Sequence, residues 1–315
     1  MKLYPMVLTP FVSETVWGGR RLIDEYSVVT DKRNAAEAWV MSAHKSGSST
    51  VANGEFAGRT LREVYLEHPE LGGKNCVGFS DFPVLIKFID AAADLSVQVH
   101  PDDAYCLKKG SGAGKTESWY ILDCKPGAYL LLGFEKDITR EQFRQSITDG
   151  TLTDYVKKVP VKKGDFFFIE SGTLHAICKG ILLAEVQQNS DTTYRIYDYG
   201  RLGFDGKPRE LHVEDAVNVT HTGVYKNPCT PKKDGNVTNL VACPFFTERV
   251  LDINGSFDGT ADEKSFVSLL ILDGSGSLEC AGETLEFSKG CSIFIPANCG
   301  DYKINGEAKI LETRV

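Results

Sequence analysis

A chain of 315 residues with 42% hydrophobic and 10% aromatic content can bury a large core and, on length, makes about two domains. Its net charge of −8 argues against broad nucleic-acid binding, and no apolar run approaches the ~18 residues of a membrane-spanning helix. Nine cysteines, an odd number with no Cys-x-x-Cys pair, argue against a disulfide framework or a thiolate zinc site and predict reduced thiols in a cytoplasmic protein.

In chain order, the opening Met1-Lys2-Leu3-Tyr4-Pro5-Met6 is interrupted by proline and soon acidic, unlike a signal peptide. Thr60 to Glu67 is expected to be helical, opened by the capping box Thr60-Leu61-Arg62-Glu63. Phe82 to Ile89 is a strand candidate. The next one, Leu95-Ser96-Val97-Gln98-Val99-His100-Pro101, is the most informative. Strand side chains alternate between faces, so Leu95, Val97 and Val99 point one way and Ser96, Gln98 and His100 the other. Glu117 and His175 lie at the edges of later strand-like runs. With Gln98 and His100 they make an amide, imidazole and carboxylate set of the kind that holds zinc or another divalent metal with a position left open. The plainer alternative is a pair of surface or hydrogen-bonded histidines, as expected for His68, His212 and His221, which nothing in the pattern recruits.

Gly110-Ser111-Gly112-Ala113-Gly114-Lys115-Thr116 is a near miss for a phosphate-binding loop. The spacing from the first glycine to Gly-Lys-Thr is short, and a strand follows where a helix is required. Lys115 is two residues before Glu117 and shares its strand face. Strands are then expected over Ser118 to Asp123, Ala128 to Phe134, Asp165 to Ile169 and Ile181 to Gln187. Helices are expected from Thr139, with Gln142 three residues on, to about Asp149-Gly150, and over His212 to Val219. If the run from Glu185 through Gln187, Asn189, Asp191 and Thr193 to Arg195 is one continuous strand, all six residues share a polar face, which belongs either to solvent or to a cavity. A local cluster of Lys and Arg can hold a small phosphorylated ligand against the global negative charge.

Many short strands with few helices predict a mainly β chain. An internal repeat refines this. Ser118–Asp123 aligns with Ser268–Asp273, and Lys163–Ile169 with Lys289–Ile295. Asp123 to Gly164 spans 41 residues and Asp273 to Gly290 spans 17; the difference of 24 is about the length of the helical stretch from Phe134 to Lys157. The expectation is two jelly-roll barrels with a small helical insertion in the first. On this alignment Glu117 corresponds to Val267 and His175 to Asp301, so the second barrel is expected to lack the ligand set.

Trp17-Gly18-Gly19, Glu37-Ala38-Trp39, Phe82-Pro83-Val84-Leu85-Ile86-Lys87-Phe88-Ile89-Asp90-Ala91, the Leu95–Asp103 block, Lys115-Thr116-Glu117-Ser118-Trp119 and Ser190-Asp191-Thr192-Thr193-Tyr194-Arg195 together resemble the type I mannose-6-phosphate isomerases of the shorter bacterial kind. Other members have proline in the middle of Lys115-Thr116-Glu117; the Lys and Glu are matched. The resemblance implies a cupin fold, with residues 1–235 as the catalytic domain (insertion about 134–157) and 236–315 as a degenerate, metal-free cupin domain. It implies one zinc per chain on Gln98, His100, Glu117 and His175. The implied reaction interconverts mannose 6-phosphate and fructose 6-phosphate through an enediol, with a small phosphorylated sugar as substrate, neither nucleic acid nor membrane as partner, and the oligomeric state left open. Arg195 and Lys115 are the implied catalytic residues. Ser96, Lys87 and Glu185 are the implied substrate-binding residues, the first two at the phosphate end. The proton-moving group stays open between Lys115, Glu185 and a water on the zinc. The competing class is a non-catalytic, metal-containing sugar-phosphate-binding cupin, against which the presence of both Lys115 and Arg195 counts. An iron-dependent cupin oxygenase is disfavoured by Gln98 where His-x-His would be expected.

Overall fold

A computed structural model describes residues 2–315. Three main sheets and two covering helices pack face to face, and the C-terminal sheet also encloses a core of its own around Leu251, Leu269, Ile293 and Ile310. Helices Arg140–Thr148 and Val213–Val219 cover the outer face of a sheet ordered Val156–Pro160, Tyr129–Phe134, His175–Ile177, Val97–Val99, Tyr194–Tyr197. Phe134, Phe143, Leu152, Ala216 and Val217 fill the space between. The inner face of that sheet meets a second one, ordered Phe166–Ile169, Glu117–Cys124, Ile181–Gln188, Val84–Ala91, Glu37–Met41, Phe11–Ser13. Between these two sheets lie Ile89, Trp119, Ile121, Leu130, Leu132, Ile177 and Leu183.

The third sheet belongs mainly to the C-terminal half and includes the long strands Thr247–Ala261, Val267–Cys280 and Gly300–Arg314. It packs against the outer face of the second sheet, where Phe88, Leu122 and Val186 meet Val250, Leu270, Phe294 and Leu311. Val84–Ala91 and Ile181–Gln188 are therefore buried on both faces. That is why their sequences run apolar with little alternation. Each Ile, Leu, Val or Phe so buried contributes roughly 1.5–3 kcal/mol. The N-terminal strand Met6–Thr9 pairs with Ser292–Ile295, which stitches the start of the chain into the C-terminal sheet.

Helix ends follow the local signals. Thr60 caps Leu61–Glu67 and Thr139 caps Arg140–Thr148, each with a complete capping box. Val213–Val219 is also helical. Two further short helices, Arg21–Tyr26 and Asp103–Lys109, were not expected; neither opens with a complete capping box.

The repeat survives in the strand registers. Glu117, Ser118, Trp119 and Tyr120 stand opposite Ile169, Phe168, Phe167 and Phe166. Val267, Ser268, Leu269 and Leu270 stand opposite Ile295, Phe294, Ile293 and Ser292. Aligned positions of the two sequence blocks thus occupy equivalent places in the two pairings. In the second copy the strand Val267–Cys280 turns through Ala281 and Gly282, with φ of 54° and 79°, directly into Glu283–Ser288. In the first, the helix Arg140–Thr148 lies between the corresponding strands Tyr129–Phe134 and Val156–Pro160.

Candidate metal centre and active site

Gln98 occupies the middle of the three-residue strand Val97–Val99, with Val97 and Val99 fully buried on the opposite face. Its cross-strand neighbours are His175 on one side and Arg195 on the other. His100 follows on the same polar face. Glu117 begins the strand Glu117–Cys124 in the facing sheet, so the ligand set closes only across the cavity between the two sheets.

His100, Glu117 and His175 are all buried and offer ligand atoms that lie within 4.8 Å of one another. His100 Nδ1–H donates to the Thr192 carbonyl at 2.8 Å and His175 Nδ1–H to the Thr173 carbonyl at 2.9 Å. Those bonds fix the tautomer and turn both Nε2 lone pairs inward, to 3.5 and 3.4 Å from the Glu117 carboxylate. Burial pushes the His175 pKa down to about 4 and that of His100 well below its ordinary value, so both rings are neutral, the form that coordinates a cation. Glu117 Oε1 is buried without a donor. Burial raises the Glu117 pKa to about 7 against the opposing pull of Lys115, and a divalent ion would lower it again. Neutral imidazoles facing an underbonded carboxylate fit a metal ion. Gln98 is adjacent, its amide nitrogen 3.3 Å from His175 Nε2 and its oxygen accepting from Ser96 Oγ at 3.2 Å.

Lys115 is held beside this cluster by its backbone N–H, which donates to the Pro101 carbonyl. Its ammonium lies 2.5 Å from Glu117 Oε2, 3.1 Å from His100 Nε2 and 4.0 Å from Glu185. Glu185 is buried, accepts from Trp119 Nε1–H at 2.9 Å and sits 3.3 Å from the Lys87 ammonium. Burial favours its neutral form, but Lys115 and Lys87 outweigh that and keep it ionised. Lys87 lies between two carboxylates, with Glu37 at 3.6 Å, and 5.1 Å over the Trp39 ring. Burial opposes its charge, and Glu37 and Glu185 more than compensate.

Arg195 reaches the same cavity by a route that differs from the expected one. The strand carrying Glu185 ends at Gln188, and Asn189–Thr193 is a loop. Tyr194–Tyr197 then joins the opposite sheet. The continuous polar face from Glu185 to Arg195 therefore does not exist. Gln187 Nε2 donates to the carbonyls of Gln188 and Ser190 and so fixes the turn that breaks the strand. The crossing places Arg195 and Glu185 on facing walls. Arg195 Nη1 donates to the Glu210 carbonyl at 2.9 Å, while Nε is buried and unpartnered. Burial and the neighbouring Arg209 hold its pKa below the ordinary guanidinium value.

A cavity of about 200 Å³ gathers Lys87, Ser96, Gln98, Lys115, Glu117, His175, Glu185 and Arg195 on its lining. All three tryptophans of the chain, Trp17, Trp39 and Trp119, also line it. Trp17, Glu37 and Trp39 were visible only as members of resemblance blocks, and Arg209 carried no signal at all. Gly19, beside Trp17, packs so closely that a Cβ would fall 2.1 Å from the Asp90 carboxylate, which accounts for the small residue there. Among the described residues no helix is long and apolar enough to cross a membrane.

Comparison with known proteins bears on what this cavity does. Residues 6–120 match the family described as "Phosphomannose isomerase type I, catalytic domain", and residues 236–315 match "Mannose-6-phosphate isomerase, cupin domain". A Bacillus subtilis protein named "Probable mannose-6-phosphate isomerase" is 40% identical over 316 residues, covering 98% of each chain. The mannose-6-phosphate isomerase of Streptococcus mutans is 38% identical over 310 residues, covering 98% of this chain and 97% of its own. The crystal structure of a Bacillus subtilis mannose 6-phosphate isomerase superposes with a TM-score of 0.91 at 37% identity, over 99% of both chains.

Proposed function

Because this chain belongs to the type I phosphomannose isomerase family, we propose that it interconverts D-mannose 6-phosphate and D-fructose 6-phosphate. The reaction moves a proton between C1 and C2 through an enediol, and the site must stabilise negative charge as it develops on the sugar oxygens. The observation that carries this reading is the pairing of cations with the ligand cluster. Lys115 touches both Glu117 and His100, and Arg195 stands cross-strand from Gln98.

Gln98, His100, Glu117 and His175 would hold one zinc ion, whose chemistry would be that of an electrophile toward substrate oxygen. Arg195 brings a guanidinium anchored to the Glu210 carbonyl, with a buried N–H left without a partner, suited to an oxygen that gains charge in the transition state. Lys115 and Glu185 are the candidates for moving the proton; they face each other at 4.0 Å, so a proton lost by one can be rebalanced by the other. Ser96 and Lys87 line the cavity as substrate-binding residues, Lys87 also keeping Glu185 ionised. Water is restricted because most of these side chains are buried.

Each half is assigned one jelly-roll barrel, with residues 1–235 as the catalytic domain and 236–315 as the degenerate cupin domain. A cytoplasmic setting agrees with nine free cysteines. A coupled assay for fructose 6-phosphate formation from mannose 6-phosphate tests the activity. Absence of turnover in metal-replete protein that still binds the sugar phosphate would favour the non-catalytic binding protein.

A further inference from the structure

The open end of the C-terminal half holds two thiols in contact. Cys280 ends the strand Val267–Cys280. Cys299 follows Asn298, whose φ is 63°, and precedes the strand Gly300–Arg314. Cys280 stands cross-strand from Tyr302, and the bend at Asn298 brings Cys299 back over it. The two Sγ atoms are 3.5 Å apart, with Cys280 donating to Cys299. Both side chains are buried, yet Cys280 lines an open cavity of about 700 Å³ shared with Thr260, Glu279 and Asp301. A disulfide needs the sulfurs to close to ~2.05 Å, a change within reach of side-chain rotation because it asks each sulfur to move under about 1 Å.

We propose that Cys280 and Cys299 form a redox-modifiable dithiol, closed to a disulfide by hydrogen peroxide. Cys280, which lines the open cavity, reacts first: its thiolate attacks a peroxide oxygen, the O–O bond breaks, and hydroxide leaves and takes up the proton lost by the thiol to become water. The resulting sulfenic acid at Cys280 is attacked by the Cys299 sulfur 3.5 Å away, the S–O bond breaks, and a second water departs with the Cys299 proton. Two thiols thus lose two electrons and two protons, and one peroxide becomes two waters.

The disulfide closes a loop across a sequence separation of 19 residues, tying the Ala281-Gly282 turn to the start of the last strand. Constraining that loop in the unfolded chain stabilises the C-terminal half. The catalytic cavity is lined only by residues between Thr15 and Arg209, so turnover is not touched.

The test is titration of the full-length protein with hydrogen peroxide, followed by thiol counting, peptide mapping and thermal melting. Free thiols should fall from nine to seven. Under non-reducing conditions the tryptic peptide ending at Lys289 should be joined to the one ending at Lys303. Cys291 lies in the second peptide, so C291S must keep the link and C299S must lose it. Tm should rise by several degrees, reverse with dithiothreitol, and leave kcat/KM unchanged. Nine thiols surviving peroxide, or a link mapped on the native protein to Cys291, overturns the proposal even if C299S fails to fold.

Discussion

Glu185 and Glu312 occupy the same place in the two halves of the chain. Glu185 stands cross-strand from Lys87 and Trp119, and Glu312 from Arg249 and Leu269. Each is a buried carboxylate facing a cation on the neighbouring strand. Around Glu185 the pair opens onto a cavity with a ligand cluster. Around Glu312 the Tyr302 side chain packs against the carboxylate, and no ligand cluster is found there among the described residues. The Tyr302 hydroxyl donates to Glu312 at 3.0 Å, and its ring lies against Gly259, where a Cβ would fall 2.3 Å away. Val267 stands where the first half has Glu117. The inward residue near the counterpart of His175 is Tyr302; Asp301, which the sequence alignment had put there, faces solvent.

The Glu312 cluster should therefore matter to stability and not to turnover. Arg249 and Arg314 both donate to its carboxylate at 2.8–3.0 Å. Glu312→Gln leaves two guanidiniums facing each other without a counter-charge. Both arginines are about a quarter to a third exposed, so the cost should be roughly 2–4 kcal/mol, at the low side of a fully buried broken pair. Urea denaturation should show the loss while kcat/KM for the isomerisation stays within about twofold of the parent.

Metal content follows from the single ligand cluster found among the described residues. Purified protein should carry about one divalent ion per chain, most readily zinc, and chelation should abolish activity with recovery on zinc addition. His100→Ala and His175→Ala should lose metal and activity together. Elemental analysis beside the isomerase assay measures both, and a second stoichiometric ion would contradict the account of the C-terminal half.

Arg195→Ala should lower kcat by a factor on the order of 10²–10³, by analogy with removal of one oxyanion donor, with a much smaller change in KM. Metal content should be retained, since the guanidinium is no ligand. Arg195→Lys should recover part of the loss, because lysine keeps the charge without the rigid fork. Steady-state kinetics decide the role: a raised KM at unchanged kcat would make Arg195 a phosphate grip only.

Ser118, next to Glu117 of the candidate metal cluster, donates from the opposite face of its strand to Glu248 and so links the two halves. Burial raises the Glu248 pKa to about 8 from an ordinary 4.5, the Ser118 hydrogen bond opposing only in part. The folded state then binds a proton that the unfolded chain has lost across that window, so stability falls as pH rises from about 4.5 toward 8, with a slope up to ~1.4 kcal/mol per pH unit from this group. Glu248→Gln removes the titration and should be more stable than the parent at about pH 8, the advantage shrinking toward about pH 5. Urea midpoints at the two ends of the range check the sign.

The sequence alone carried much of what depends on local pattern. The two-residue alternation of a strand put Gln98 and His100 on one face, and the capping boxes at Thr60 and Thr139 placed two helix starts to the residue. The two short matching blocks also mark equivalent strand pairs in the two halves, although the paired residues lie about 50 residues apart in the first half and nearly 30 in the second, so the pairing itself belongs to the tertiary structure. Tertiary structure decided what depends on which sheet a strand joins. Glu185 and Arg195 share no strand; they line one cavity because the loop after Gln188 crosses between sheets, a choice set by hydrogen bonds to strands some 90–105 residues earlier in the chain. The carboxylate of Glu37 beside Lys87, the sulfur contact of Cys280 with Cys299 and the inward turn of Tyr302 in place of Asp301 have the same origin. Backbone conformation is fixed by neighbours in sequence, whereas the contacts that make a site are fixed by packing between segments whose order and stagger no local pattern records.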